Sequence, residues 1–185
     1  SGEGGLVWFK TREAGDEHEL IDTVRGRTKR LRSDTDEAQA TISASGQDLT
    51  SFNNNGFSLG AAGSSKVNWP SEDLASWTFR KSPGFFDVVT YTGNGTNRVI
   101  SHDLGCEVGM MIIKKTSGSD PWYVWHRGLS DNTKVLKLNS SDDEVGGQAI
   151  FNSTAPTATQ FSLGTSGHSN ENNYEYIAYL FAGGE

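Results

Sequence analysis

The sequence has one cysteine, Cys106, so no intrachain disulfide can form and packing alone must hold the fold. Only 34% of its 185 residues are hydrophobic, and no run approaches the roughly 20 apolar residues that span a bilayer. The opening residues, Ser1-Gly2-Glu3-Gly4-Gly5, lack the basic and apolar blocks of a signal peptide and read as a scar or the cut edge of a longer protein. Positive charge is scarce. A net charge of −7 argues against nucleic acid, whose phosphates demand a basic surface. His18, His102, His126 and His168 are dispersed, with no His-x-His or His-Glu-x-x-His spacing, so no metal site or cofactor is expected. Also missing are a Gly-x-Ser-x-Gly elbow and a strand carrying closely spaced carboxylates on one face. These absences argue against an enzyme. The acidic runs Asp34 to Glu37 and Asp142 to Glu144 fall in turns and read as solvated, although the oxygens of Asn139 to Glu144 are the type that Ca²⁺ takes.

The chain is rich in bulky aromatics and turn formers. Five Trp, nine Phe and five Tyr supply the apolar volume of a core. Short β-branched and aromatic segments alternate with Gly, Asn, Asp and Ser clusters, the pattern of sandwiches and barrels. Strands are predicted at 6–10, 20–24, 30–33, 40–44, 57–59, 75–79, 87–92, 98–102, 110–115, 122–126, 134–138, 149–152, 160–163 and 174–181. Residues 35–39, with Asp, Glu and Ala, are the one stretch that suggests a helical turn. Cys106, ahead of Met110 and Met111, is expected to be a buried, inert thiol. Arg25, Arg27, Lys29, Arg30 and Arg32 read as a solvated or edge-protecting strand face, the other reading being contact with an acidic partner.

The chain repeats itself. Leu6-Val7-Trp8-Phe9-Lys10 is echoed by Met111-Ile112-Ile113-Lys114-Lys115, Thr28-Lys29-Arg30-Leu31 by Thr133-Lys134-Val135-Leu136, and Ser76-Trp77-Thr78-Phe79 by Ala178-Tyr179-Leu180-Phe181. Phe57-Ser58-Leu59-Gly60 recurs letter for letter at Phe161-Ser162-Leu163-Gly164. The expected fold is all-β, two tandem antiparallel β-sandwich units at 1–81 and 85–185, the alternative being one larger fused sandwich of the jelly-roll kind. The first unit lacks a counterpart of Asp87 to Leu104. A truncated fragment, or a sandwich completed by another segment or chain, would account for this.

The motifs resemble a family. Phe79-Arg80-Lys81, followed by Phe85-Phe86-Asp87-Val88-Val89-Thr90-Tyr91-Thr92-Gly93-Asn94-Gly95, is similar to a recurring segment of tailed-phage structural proteins, mostly of marine and cyanobacterial phages. The blocks Leu6 to Lys10, Asp22-Thr23-Val24-Arg25-Gly26, Asn152-Ser153-Thr154, Phe161 to Gly164 and Ala178 to Phe181 continue the match. The resemblance implies a virion component with a concanavalin-like fold: a tail fibre, a tailspike-type module or a surface decoration. It carries no catalytic residues. The implied setting is the particle surface, with other virion subunits as partners, a homo-oligomer that is a trimer by default, and possible contact with host glycan. A capsid or tail decoration protein that binds only other subunits is the alternative. Membrane insertion is not expected.

Glycan sites combine exposed aromatic faces with hydrogen-bonding side chains on loops. Two loops qualify, each following a Phe-Ser-Leu-Gly block. Residues 61–71 offer Asn68 and Trp69, with Trp69 either a ligand platform or a plug at the end of its own sandwich. Residues 165–174 offer His168, Asn170, Asn172 and Tyr174. Of Trp8, Trp77, Trp122 and Trp125, at least three are expected to be packed.

Overall fold

Alternation within single strands sets the layering. In β1 (Gly5–Thr11), Leu6 and Trp8 face one side, and Val7 and Phe9 the other. In β10 (Val108–Lys115), Met110 and Ile112 face one side, and Met111 and Ile113 the other. The computed structural model describes residues 4–12, 15–42, 46–63 and 67–184. In it, the Leu6 face and the Ile112 face meet.

β1 is the middle strand of a three-stranded antiparallel sheet, between β2 (Glu19–Asp22) and β7 (Leu74–Arg80). A bridge from Leu20 to Leu31 carries this sheet on towards the pair β3 (Lys29–Arg30) and β4 (Ala40–Thr41). β10 lies inside a six-stranded antiparallel sheet. Its order is β13 (Val145–Gly146), β12 (Lys134–Lys137), β11 (Tyr123–His126), β10, β15 (Glu175–Ala182) and β8 (Phe86–Thr92). The hairpin of β5 (Leu49–Asn53) and β6 (Gly56–Leu59) covers the outer face of the first sheet. The pair β9 (Arg98–Ser101) and β14 (Gln160–Leu163) covers the outer face of the second. The protein is thus an all-β, sheet-on-sheet structure with an apolar layer at each of three interfaces.

The two sheets correspond strand for strand. Trp8 pairs with Trp77 as Ile112 pairs with Tyr179, and Leu6 pairs with Phe79 as Met110 pairs with Phe181. Leu6 therefore answers Met110, one residue earlier than the sequence echo suggests, at the same offset of 104 that relates Phe57 to Phe161. The apparent slip arises because two runs of large apolar residues align equally well one residue apart, whereas the two faces of a strand do not.

The middle layer joins the halves. Leu6, Leu20, Leu31 and Phe79 meet Phe86, Val88, Trp122, Tyr179 and Phe181, with Phe79 and Phe181 edge to face at 5.2 Å. A buried polar knot crosses the same boundary. Arg25 Nε donates to Asp22 Oδ2 at 2.6 Å, the Tyr179 hydroxyl donates to the same oxygen at 2.9 Å, and Arg25 Nη2 reaches the Tyr179 oxygen at 3.2 Å. Burial opposes the charge of Arg25, and Tyr179 and Asp22 more than restore it. Three of the four tryptophans expected on strands are packed: Trp122, just ahead of β11, Trp125 and, partly, Trp8. Trp77 is 49% exposed.

Several sequence expectations give way to tertiary contacts. Residues 35–39 are not helical, because their backbone bonds to the other half. The carbonyls of Arg32 and Thr35 accept from Trp122 Nε1, the Asp36 carbonyl accepts from Lys114 Nζ and Asp120 N, and Gln39 N–H donates to Thr116. Residues 149–152 form turns rather than a strand, with Asn152 and Ser153 at φ 52° and 49°, although Ile150 and Phe151 still enter the core. Three members of the basic run turn inward: the Arg25 side chain is buried, and Arg30 and Arg32 both pair with Glu19 Oε1, whereas Lys29 Nζ makes an exposed bond to Thr41. Cys106 is half-buried in the connection between β9 and β10 rather than on a strand. The predicted strand at 40–44 ends at Thr41 among the described residues, with 43 and 44 outside them. Residues 1–3, which open the chain's polar start, also lie outside them.

Two outcomes follow from the polar interior. Replacing Arg25 by Met leaves Asp22 buried without its cation and should lower stability by about 3 kcal/mol, read from the urea unfolding midpoint. Glu19 has one oxygen on two arginines and the other, Oε2, buried without a partner. Burial lifts its pKa to about 7, against the pull of Arg30 and Arg32. A carboxyl raised in the folded state stabilises the fold below its unfolded pKa and loses that contribution as pH rises through the folded value. Stability should therefore fall by up to roughly 3 kcal/mol between pH 4.5 and 7, and Glu19→Gln should remove that slope.

Candidate functional site

The loop after β14 is built from its buried end outward. Ser166 caps a single helical turn, α1 (Gly167–Asn170), its hydroxyl accepting from His168 N at 3.2 Å. Ser169 and Asn170 are fully buried. Asn170 donates from Nδ2 to the carbonyls of Thr96 (2.7 Å) and Gly164 (2.8 Å), and its Oδ1 accepts from Asn94 N at 3.0 Å. Tyr91 OH donates to the Ser169 carbonyl at 2.9 Å, and the Ser169 hydroxyl donates to Ile150. The segment is therefore an anchored turn, and Asn170, expected to meet a ligand, is its anchor, with no surface to offer one. A capping serine, Ser166, four positions ahead of Asn170 is a weak signal, easily lost in a chain so rich in Ser and Asn.

Outside that anchor the side chains form a connected polar network, buried at Lys115 and Asp120 and open to solvent at His168, Glu171 and Tyr174. His168 Nδ1 lies 2.8 Å from Asp120 Oδ1, and its ring sits 4.9 Å from that of Tyr123. Asp120 Oδ2 is 3.2 Å from Lys115 Nζ, which reaches Glu171 Oε2 at 2.8 Å. The same ammonium lies over the Tyr174 ring, 4.8 Å from its centroid. Burial works against the Lys115 charge, but the hydrogen bonds to Glu171 and Asp120 outweigh it and raise its pKa. Burial, with the charges of Asp120 and Asp36, pushes Tyr123 up to about 12. His168 and Tyr174 are thus brought together through Asp120 and Lys115. Asn172 is exposed beside the Gly95 turn. Lys115, Asp120, Glu171 and Tyr123 escaped the sequence reading. Their one signal is a lysine pair closing an otherwise apolar strand.

The other loop takes no part in these contacts. Asn68 adopts φ 66°, and its Nδ2 donates to the Gly60 carbonyl at 2.8 Å. Trp69 is 44% exposed, so it is not a plug. Residues 64–66 of this loop lie outside the described residues. A further cleft of about 430 Å³ runs between the halves. It is lined by Trp8, His18, Asp34, Leu138, Asn139 and Ser140, with Trp8 Nε1 donating to His18 Nδ1 at 2.8 Å.

These groups offer hydrogen bonds, charge and aromatic faces. Two carboxylates do approach one another, but the ammonium of Lys115 is inserted between Asp120 and Glu171, where a glycosidase pair needs room for the scissile bond and a water. Among the described residues no group of three or more His, Cys, Asp or Glu is placed to hold a metal. The Asn139 to Glu144 turn is committed elsewhere: Asn139 Nδ2 donates to Asp36 Oδ1 at 2.5 Å, Lys137 pairs with Asp142, and Glu144 accepts from Ser130 N. No helix of the described residues is long and apolar enough to cross a membrane.

Asn170→Ala should strand buried partners at Asn94, Thr96 and Gly164 and cost about 3 kcal/mol. His168→Ala, at the surface, should cost under about 1 kcal/mol. Thermal unfolding of the two variants checks the contrast.

No curated protein and no solved structure matches the chain. Residues 2–185 match a family described as a domain of unknown function (DUF7483), and the chain belongs to that family.

Proposed function

We propose that this chain is a non-enzymatic structural protein of a tailed-phage virion. Two sandwich units in tandem are displayed at the particle surface as part of a fibre or spike, and their outward loops touch a host glycan. The motif resemblance supports the setting. The observation that carries the binding role is the anchored loop 165–174, which presents the exposed His168 and Tyr174, held from beneath by the buried Asp120 and Lys115, with the partly exposed carboxylate of Glu171 beside them. Its rigidity lowers the ordering cost of binding. A weak site of this kind gains strength by repetition, and three copies about one axis would present three such loops together.

The test is a glycan array, followed by titration of any hit. The double variant His168→Ala with Tyr174→Ala should weaken binding by at least about tenfold while leaving the circular dichroism spectrum unchanged. Failure to bind any sugar, with firm binding to virion subunits, would replace the receptor role by one in assembly. Release of reducing ends from a host polysaccharide would overturn the non-enzymatic reading.

A further inference from the structure

The two sheets match strand for strand until their last position. In the six-stranded sheet, β15 is covered on its outer edge by β8. In the first sheet, β7 holds the place of β15, and among the described residues nothing covers it. The bonds flanking the β1–β7 ladder fix which groups are left over. Arg12 N–H donates to Asp73, and Lys81 N–H donates to Gly4, both at 2.8 Å. Hydrogen-bonded pairs alternate along an antiparallel ladder, so 73, 75, 77, 79 and 81 bond to β1. The N–H and C=O groups of Leu74, Ser76, Thr78 and Arg80 therefore point away from it.

Two further observations fall at the same edge. Trp77 is 49% exposed, whereas its counterpart Tyr179, flanked by β8, is 1% exposed. A cleft of about 640 Å³ opens on the opposite face, lined by Val7, Phe52, Thr78 and Arg80 beneath the turn at 53–56. In the second half the matching end of the core is closed by Leu104, from the connection that follows β9, and by Val108, the first residue of β10, both fully buried. By strand pairing, Val108, opposite Ala182, answers to Gly5, opposite Arg80, and Gly5 has no side chain to close that end. Edge strands are ordinarily protected by proline, bulges or charge. β7 has no proline, an unbroken register with β1 and charge only at its end, Arg80.

We propose that β7 is an acceptor edge for an extended segment of a separate polypeptide, a strand with the chemistry of β8. Its backbone would complete the sheet as β8 does on β15, and alternate apolar side chains would fill the cleft and cover Trp77. The β15–β8 register gives the expected alignment. A Phe86-like residue falls opposite Phe79, an Asp87-like residue opposite Thr78 and near Arg80, and a Val88-like residue opposite Trp77. The residue before these, a Phe85 equivalent, lies on the cleft side. This surface is distinct from the loop proposed to meet glycan and does not depend on it.

The experiment uses the intact chain and a synthetic peptide of residues 85–95, with a photo-reactive group in place of Val88. One peptide should bind per chain, with a change in tryptophan fluorescence and cross-linking to β7. N-methylation of alternate peptide amides should weaken binding by at least about tenfold while leaving the protein untouched. Thr78→Pro should do the same. It removes an outward N–H and no bond to β1, and proline is tolerated at such edge positions. Unchanged affinity for the N-methylated peptide overturns the proposal. So does cross-linking to β15, which would mean displacement of the chain's own β8. A dimer that forms without peptide and is abolished by Thr78→Pro also overturns it, because the edge would then be taken by its own copy.

Discussion

The layer between the two sheets is the constraint on which the rest depends. Each sheet has large apolar residues on both faces of its central strand, so neither can leave a face in water. The sheets solve this by burying equivalent faces against each other: Leu6 and Phe79 from one, Ile112, Tyr179 and Phe181 from the other. At roughly 1.5–3 kcal/mol for each large side chain removed from water, this layer outweighs any single polar contact in the molecule. Because the pairing uses matching faces, both outer faces are left over, and each requires a cover of its own. The hairpin β5–β6 and the pair β9–β14 supply them.

Directionality comes from a smaller set of polar groups. An apolar layer tolerates sliding, since Phe and Leu contacts are nearly the same a few ångströms away. The Asp22–Arg25–Tyr179 knot does not, because every partner has a fixed hydrogen-bonding geometry and none is exposed. The indole of Trp122 on the carbonyls of Arg32 and Thr35, and the ammonium of Lys114 on those of Asp36 and Asp120, pin the segment 32–39 in the same manner. Burial lowers Lys114 to about 8, the cost of using an ammonium as a structural donor so far from water.

What could be read in the sequence follows the same division. The strands were legible wherever period-two alternation or apolar runs were strong, as at 87–92 and 110–115, and the all-β class followed from them. β5 was missed because Leu-Thr-Ser-Phe-Asn has too few apolar residues to show a period, and its strand character comes from pairing with β6. Residues 149–152 misled because Ile150 and Phe151 are buried without being extended. The site was half legible. His168 and Tyr174 lie in a loop whose composition announces exposure, but Asp120 and Lys115 reach it from distant positions that only the folded sheet brings together. Asn170 has the residue type of a ligand-binding group and the burial of a core residue, a distinction no local pattern carries.

The two loops that follow the Phe-Ser-Leu-Gly strands show how equivalent positions diverge. In the first, the buried carboxylate of Asp48 takes the anchoring role, accepting from Gly63 N at 3.0 Å while its backbone bonds Gly60 and Ala61. In the second, the anchor is the amide of Asn170, which both donates and accepts and so ties three separate segments at once. A carboxylate can only gather donors. An amide can join a donor on one strand turn to acceptors on two others. The second loop is therefore fixed to the Asn94 turn of β8 as well as to its own strand, and its outer residues inherit that fixed position. The presence of β8 beside β15, with no equivalent strand beside β7 among the described residues, thus separates the halves twice: it gives the second half a covered edge, and it supplies the turn against which the 165–174 loop is held.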